Sequence, residues 1–301
     1  MSVQAQERVQ AQPPDRPRLL RQRRQDGSDR RVMGTAHIVL ALWAAIVILP
    51  MLWTLMSSFK TNTEIFASPF ALPSSPAVEN YVSAWVEHGI GTYFLNTVLV
   101  VGAALFFVML LGAMCSYVLA RYEFPGRMGI YYLMLAGLTF PIFLAIVPLF
   151  FVLQNIGLLN TLTGLTLTYV SFALPFTVFF LYAFFRSLPV EMSEAAQVDG
   201  AGHWRTFFQV MLPMAVPGMA SVAIFNFLGL WNQYLLPVAL NTSRDNWVLS
   251  QGIASFVSQA GYRTEYGAMF AGVVITVIPV LIVYIIFQRR LQGSVAQGTM
   301  K

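Results

Sequence analysis

The chain has 301 residues, of which 57% are hydrophobic and only 10% charged, where soluble domains carry about 25% charged residues. With a mean hydropathy of +0.64, this composition excludes an ordinary soluble domain and indicates a polytopic membrane protein. The net charge of +5 does not mark a nucleic-acid binder, because eight arginines are confined to the first 31 residues.

That opening stretch also holds Glu7, Asp15, Asp26 and Asp29, two adjacent prolines and few apolar residues. It cannot bury enough surface to fold, so residues 1–36 are expected to form a disordered, arginine-rich cytoplasmic tail. The plain reading is a charge anchor for topology; a role at an RNA or membrane surface is the alternative. No small-residue cleavage site follows the first apolar run, so the first span is expected to stay as an uncleaved anchor.

Six apolar stretches follow, at 37–59, 94–120, 129–153, 162–185, 214–240 and 266–288. Each exceeds the roughly 20 residues a helix needs to cross a bilayer core. None contains Asp, Glu, Lys or Arg. The runs are continuously apolar rather than alternating, which predicts an all-α bundle of six transmembrane helices over 37–288 and not a barrel. The single cysteine, Cys115, lies inside a span and forms no internal disulfide. Prolines 50, 141, 148, 175, 217, 237 and 279 lie within the spans, where they read as kinks.

Basic residues set the orientation. With the start inside, the cytoplasmic segments hold the eight tail arginines, Arg121, Arg127, Arg186, Arg205, Arg289, Arg290 and Lys301. The external segments hold only Lys60, Arg244 and Arg263. Both termini, including a C-terminal tail over 289–301, are therefore expected in the cytoplasm of a multi-pass plasma-membrane protein.

Several chemistries lack their residues. The only lysines, Lys60 and Lys301, do not follow glycine, so no phosphate-binding Gly-Lys-Ser/Thr loop exists. His37, His88 and His203 are far apart and lack metal-ligand spacing. The spans carry no acid or base for a proton relay, although sodium coupling through neutral oxygens stays open. A bundle with no visible energy source is a passive pore, a scaffold, a neutral-site transporter, or a translocation subunit driven from outside.

The cytoplasmic loop 186–213, which contains "EAAQVDGAGHWRTFFQVMLP", points to the last of these. Pro189 suits a first helical turn, with Ser187 as N-cap. Glu191 and Glu194 lie three apart and share a face. Ala195 and Ala196 are small, and Asp199-Gly200 supplies a left-handed stop. A second helix is expected from about Gly202, carrying Phe207, Phe208, Val210, Met211 and Leu212, with Pro213 and Pro217 at the entry to the fifth span. Two glutamates suit a basic pocket on a protein better than an anionic lipid surface.

The pattern "EAA..DGA.....F..V.LP...P" resembles the EAA loop of permease subunits in bacterial binding-protein-dependent ABC importers. Glu194, Ala195, Ala196, Asp199, Gly200, Ala201, Leu212 and Pro213 match it in place, whereas Gly202 departs from the Ser or Thr common there. The stretches 57–85, "ARYEFPGR" (120–127), "GLLNTLTGL" (157–165), "WNQYLLPVAL" (231–240) and "QRRLQGSVAQGTMK" (288–301) are similar to the carbohydrate (maltose-type) permeases. The resemblance covers about residues 42–300. It implies an ABC-importer permease core, a second permease as heterodimer partner, two ATPase subunits and an extracytoplasmic solute-binding protein. It also implies that the loop docks as a coupling helix on the ATPase, which binds the ATP and Mg, leaving this chain no cofactor, metal or catalytic residue of its own. Sugar sites combine aromatic faces with hydrogen-bonding groups. Asn226, Trp231, Asn232, Gln233 and Tyr234, with Tyr169 and Ser171, are the path candidates, against the plainer reading that they bond neighbouring helices. Permeases for peptides or amino acids, and a transporter or channel acting alone, are the rivals.

Overall fold

The computed structural model describes residues 18–259 and 265–298, with side chains over 33–258 and 265–288. Residues 1–17 of the expected tail, Arg263 and the last three residues lie outside that range. No strand occurs among the described residues. The chain divides into two units, 1–53 and 54–301.

The first unit holds most of α1 (Arg18–Ser57). Of the tail expected over 1–36, residues 18–36 lie in the helix that runs on into the span, and residues 1–17 lie outside the described residues. Its apolar stretch from Met33 exposes Ile38, Trp43 and Ile46, as a lipid-facing helix does.

In the second unit, the segment after α1 folds back on itself. Thr61 caps α2 (Asn62–Ala67) in a capping box with Glu64. Lys60 is fully buried, and its Nζ donates to the carbonyls of Ser68 (2.9 Å) and Pro69 (3.0 Å). Then come α3 (Glu79–Val82), which continues as a π turn (Ser83–Glu87), and α4 (Ile90–Arg121).

The third expected span, 129–153, is not one helix. It is α5 (Arg127–Thr139) and α6 (Ile142–Asn155), bent by 106° at Phe140-Pro141. Pro141 has no N–H to continue the ladder and forces Phe140 into extended backbone (φ −73°, ψ 122°). Among the described residues, five helices are thus long and apolar enough to cross a membrane, or six if this bent pair is one span.

After α7 (Leu162–Ser187) comes the loop helix α8 (Glu191–Val198). The next stretch is continuous: α9 (His203–Arg205), a π turn (Thr206–Met211) and α10 (Leu212–Trp231). The fifth expected span, 214–240, is interrupted at Asn232–Tyr234 and resumes as α11 (Leu235–Leu240). The chain ends in α12 (Leu249–Gln259) and α13 (Tyr266–Gly298). The expected C-terminal tail is helical through Gly298.

Between lipid-like surfaces there is little hydrophobic drive, so close packing holds the spans together. Gly112 of α4 meets α7 so closely that a Cβ there would lie 2.4 Å from Thr177 Cγ2. One core, with Val100, Val101, Ala104 and Val108 of α4 against Leu165, Tyr169 and Ala173 of α7, takes in α10 to α13. A second core joins Tyr117, Phe185, Phe207 and Met211 beneath the loop.

Candidate functional site: the 186–213 loop and the fifth-span break

The break at Asp199-Gly200 has a well-defined cause. Gly200 is left-handed (φ +80°), the Gly200 amide donates to Gln197 O (3.0 Å) and the Ala201 amide to Ala196 O (2.9 Å). This pair of bonds is the Schellman arrangement that closes a helix and satisfies its last carbonyls. At the other end, the expected cap is wrong. Ser187 belongs to α7 and its Oγ donates to Phe184 O (2.7 Å), while Val190 precedes α8 without a side-chain cap. Pro189 explains the shift, since it holds Leu188 extended (ψ 146°) and postpones the helix.

Helix α8 buries only Ser193 and Ala196; Glu191, Glu194, Ala195 and Asp199 are exposed, and Val198 is 87% exposed. The two carboxylates occupy the first turn, where the helix dipole favours negative charge. Eight residues make a rod about 12 Å long, acidic at its start and apolar at its end.

Gly202 stands at the N-cap of α9 and provides no side-chain bond, as its departure from Ser or Thr implied. Ala201 and Leu212 are half-buried, and Pro213 is exposed inside the continuous helix. The π turn just before it widens the ladder where proline lacks its donor. Phe207 and Met211 point into the second core, with Phe207 5.1 Å from Tyr117 between ring centroids. Trp204 and Phe208 stack on the exposed side.

The loop is also tied to α4, which the sequence reading missed. Arg121 Nη2 donates to Leu188 O (2.6 Å), and Tyr122 Oη shares a hydrogen bond with His203 Nδ1 (2.9 Å). The signal in the sequence is "ARYEFPGR", which contains both Arg121 and Tyr122.

The path candidates do not gather in one place. Tyr169 is buried in the larger core. Asn226 is buried and its Nδ2 donates to Thr177 Oγ1 (2.7 Å) of α7. Trp231 Nε1 donates to Thr276 O (3.2 Å) of α13. For Asn226 and Trp231, helix-to-helix bonding is what the geometry displays. Ser171 is exposed, with its Oγ turned back onto Leu167 O (2.8 Å). Asn232, Gln233 and Tyr234 lie together at the break between α10 and α11, and Asn232 and Tyr234 are exposed. Beside Trp231, an apolar cavity of about 660 Å³ has Trp85, Phe94, Phe227 and Pro279 among its walls. It offers ring faces but few hydrogen-bonding groups.

On the other loops, His88 Nε2 lies 3.0 Å from Glu265 Oε2 and stacks on Phe256. The hydrogen bonds from His88 and Ser83 hold the Glu265 carboxyl below its ordinary range.

Residues 108–297 match the family described as binding-protein-dependent transport system inner membrane component. The chain belongs to this family. The permease is 68% identical to the diacetylchitobiose uptake system permease protein of Streptomyces coelicolor, over 91% of each chain. It is 32% identical to the trehalose transport system permease protein of Mycobacterium tuberculosis, over 84% of this chain and 92% of the relative. Its fold matches a chain of a bacterial ABC transporter involved in import of the acidic polysaccharide alginate. There the TM-score is 0.75 at 20% identity, over 87% of the permease and 97% of that chain.

Proposed function

We propose that this permease forms half the translocation path of an ATP-driven importer for an oligosaccharide or disaccharide. Its supporting observation is α8, a short acidic helix displayed outside the core and closed by a left-handed stop. Such an element has no packing reason to be exposed, and it suits docking into a groove on a separate protein. The relatives described above, named as diacetylchitobiose and trehalose permeases, support a sugar as the substrate class. An N-acetylated disaccharide is the first sugar to test, given the 68% identity to the diacetylchitobiose permease.

In this reading, both termini and α8 face the cytoplasm, and the complex contains a second permease, two ATPases that bind ATP and Mg, and an external solute-binding protein. Glu191, Glu194, Ala195, Asp199 and Gly200 form the docking surface, Ala196 (buried) and Ala201 (half-buried) back it from the protein side, and Leu212 and Pro213 lead into the span. Closure of the ATPases moves α8 and rocks the spans between inward-open and outward-open. Sugar contacts fall to the exposed break at Asn232, Gln233 and Tyr234, with Ser171 a further candidate.

The test is reconstitution of the permease with its partners, followed by a screen for solutes whose loaded binding protein stimulates ATP hydrolysis. A saccharide is expected to stimulate, and Glu194→Lys should remove the ATPase from the purified complex. Stimulation by an amino acid or peptide and by no saccharide would overturn the substrate class. Uptake that persists without any ATPase would overturn the importer reading.

A further inference from the structure

Two consecutive residues at the end of α4 hold both flanks of the loop. Arg121, the last residue of α4, bonds the Leu188 carbonyl, just before α8. Tyr122, its C-cap residue, bonds His203, the first residue of α9. The exposed helix α8 lies in sequence between these two anchor points.

Each anchor is itself held. Arg127 Nη1 donates to Tyr122 O (3.3 Å) and lies 3.8 Å from Glu123 Oε1, so the turn after α4 is stapled by its own last residue. The Tyr122 hydroxyl lies 3.5 Å from that of Tyr117, whose ring packs on Phe185 and Phe207 in the second core. The Nε of Arg121 is buried with no partner among the described residues. Between the anchors, a cavity of about 410 Å³ is walled by Met114, Tyr117, Val118, Tyr122, His203, Trp204 and Phe207. Packing is therefore open where α9 faces α4, and the polar bonds act beside the ring contact of Tyr117 on Phe207.

We infer that Arg121 and Tyr122 are positioning residues that clamp the two flanks of the coupling loop to α4, so that displacement of α8 is delivered to that span. The inference rests on the proposal that α8 docks on an ATPase, and it gives "ARYEFPGR" a role. A loop attached only through its own chain would pass its motion to α7 and α10. The clamp fixes both flanks of α8 to α4, the span that packs along α7 and already meets Phe207 through Tyr117.

Two measurements test it. In the complete reconstituted complex, Tyr122→Phe removes one hydroxyl and should lower the kcat of binding-protein-stimulated ATP hydrolysis about fivefold, the worth of one hydrogen bond. The half-saturating concentration of binding protein should not move. His203→Ala should match it, the double variant should be no worse than either, and His203→Asn, which keeps an acceptor near Nδ1, should restore the rate. Additive losses, no rescue, or a change in half-saturation alone would overturn the clamp. The second measurement is trypsin cleavage after Arg205 in the detergent-purified complex, expected about fivefold faster in Tyr122→Phe because local opening sets the rate. A wild-type complex whose ATP hydrolysis no loaded binding protein stimulates, whatever the solute, would sink the importer reading. The trypsin rates would still decide the clamp, and unchanged rates would overturn it.

Discussion

Replacement of Gly200 isolates the one backbone requirement in the loop. Its φ of +80° is in the left-handed region, and a Cβ built there meets nothing within 4 Å. Alanine therefore adds no clash, and its whole cost is the left-handed conformation, about 1–2 kcal/mol for an L-residue. That cost falls on the two bonds that close α8, from Gly200 to Gln197 and from Ala201 to Ala196. The opening equilibrium of the helix end should shift by about 5- to 30-fold. Asparagine tolerates the left-handed region and should cost less. Proline fixes φ near −65° and deletes the Gly200 donor, so it should cost more than alanine. Amide hydrogen exchange at Ala201 in the purified complex reads the opening directly, and co-purification of the ATPase reads its consequence. The expected order of damage is Asn, then Ala, then Pro, in both assays. If alanine behaved like wild type while proline abolished docking, the left-handed requirement would not be what shapes the loop. If asparagine were as damaging as proline, the side chain and not the backbone would be at fault.

Three further outcomes follow from the packing. Gly112→Ala places a methyl 2.4 Å from Thr177 Cγ2, and prising α4 from α7 should cost about 1–3 kcal/mol; an unchanged melting temperature in detergent would refute that close approach. Asn226→Leu removes the bond to Thr177 and should cost roughly 0.6–2 kcal/mol of helix association; lost uptake with unaltered melting would instead assign Asn226 to the solute. Glu64, bonded by Ser74 and Thr61, has a pKa lowered from 4.5 to about 2. A depressed folded value gives stability that is present above 4.5 and lost as pH falls toward 2, so protease resistance of residues 57–78 should decline across that window. In Glu64→Gln that acid-dependent decline should vanish.

Hydropathy made the long spans legible because each one sums many apolar residues. It could not show the bend at Pro141, since a window average is blind to which carbonyl loses its donor. Pro148, Pro175, Pro217 and Pro279 are the same residue type and remain inside helices. The difference lies in local backbone, where Phe140 went extended and the residues before the others did not. The Asp199-Gly200 stop was legible for the opposite reason, because a left-handed glycine after a small-residue helix is a local signal needing no distant partner. Ser187 failed as a cap since the cap depends on where α7 ends, which the next proline decides. The Arg121 and Tyr122 ties were illegible because their partners, Leu188 and His203, lie 67 and 81 residues away.

The same distinction sorts the residues proposed for the sugar path. Sequence shows that Asn226, Trp231 and Asn232 are polar or aromatic in an apolar span; it does not show what each one bonds. Asn226 and Trp231 commit their donors to Thr177 and Thr276 on other helices. A side chain so engaged offers a solute little unless those bonds break, and the unpaired group left behind would cost more than a new contact gains. At the break after α10 the Asn232 and Gln233 side-chain bonds are local instead, while the Gln233 carbonyl accepts from Ser250 Oγ (2.7 Å). Asn232 Nδ2 donates to Leu228 O, and Gln233 Oε1 accepts from the Tyr234 amide. Each leaves the other half of its carboxamide with no partner among the described residues, next to the exposed Tyr234 ring. An interrupted helix at membrane depth also exposes backbone that must be satisfied by protein or by a cavity. A polyol needs donors, acceptors and a ring face within reach of one another, and among the path candidates only the break supplies all three.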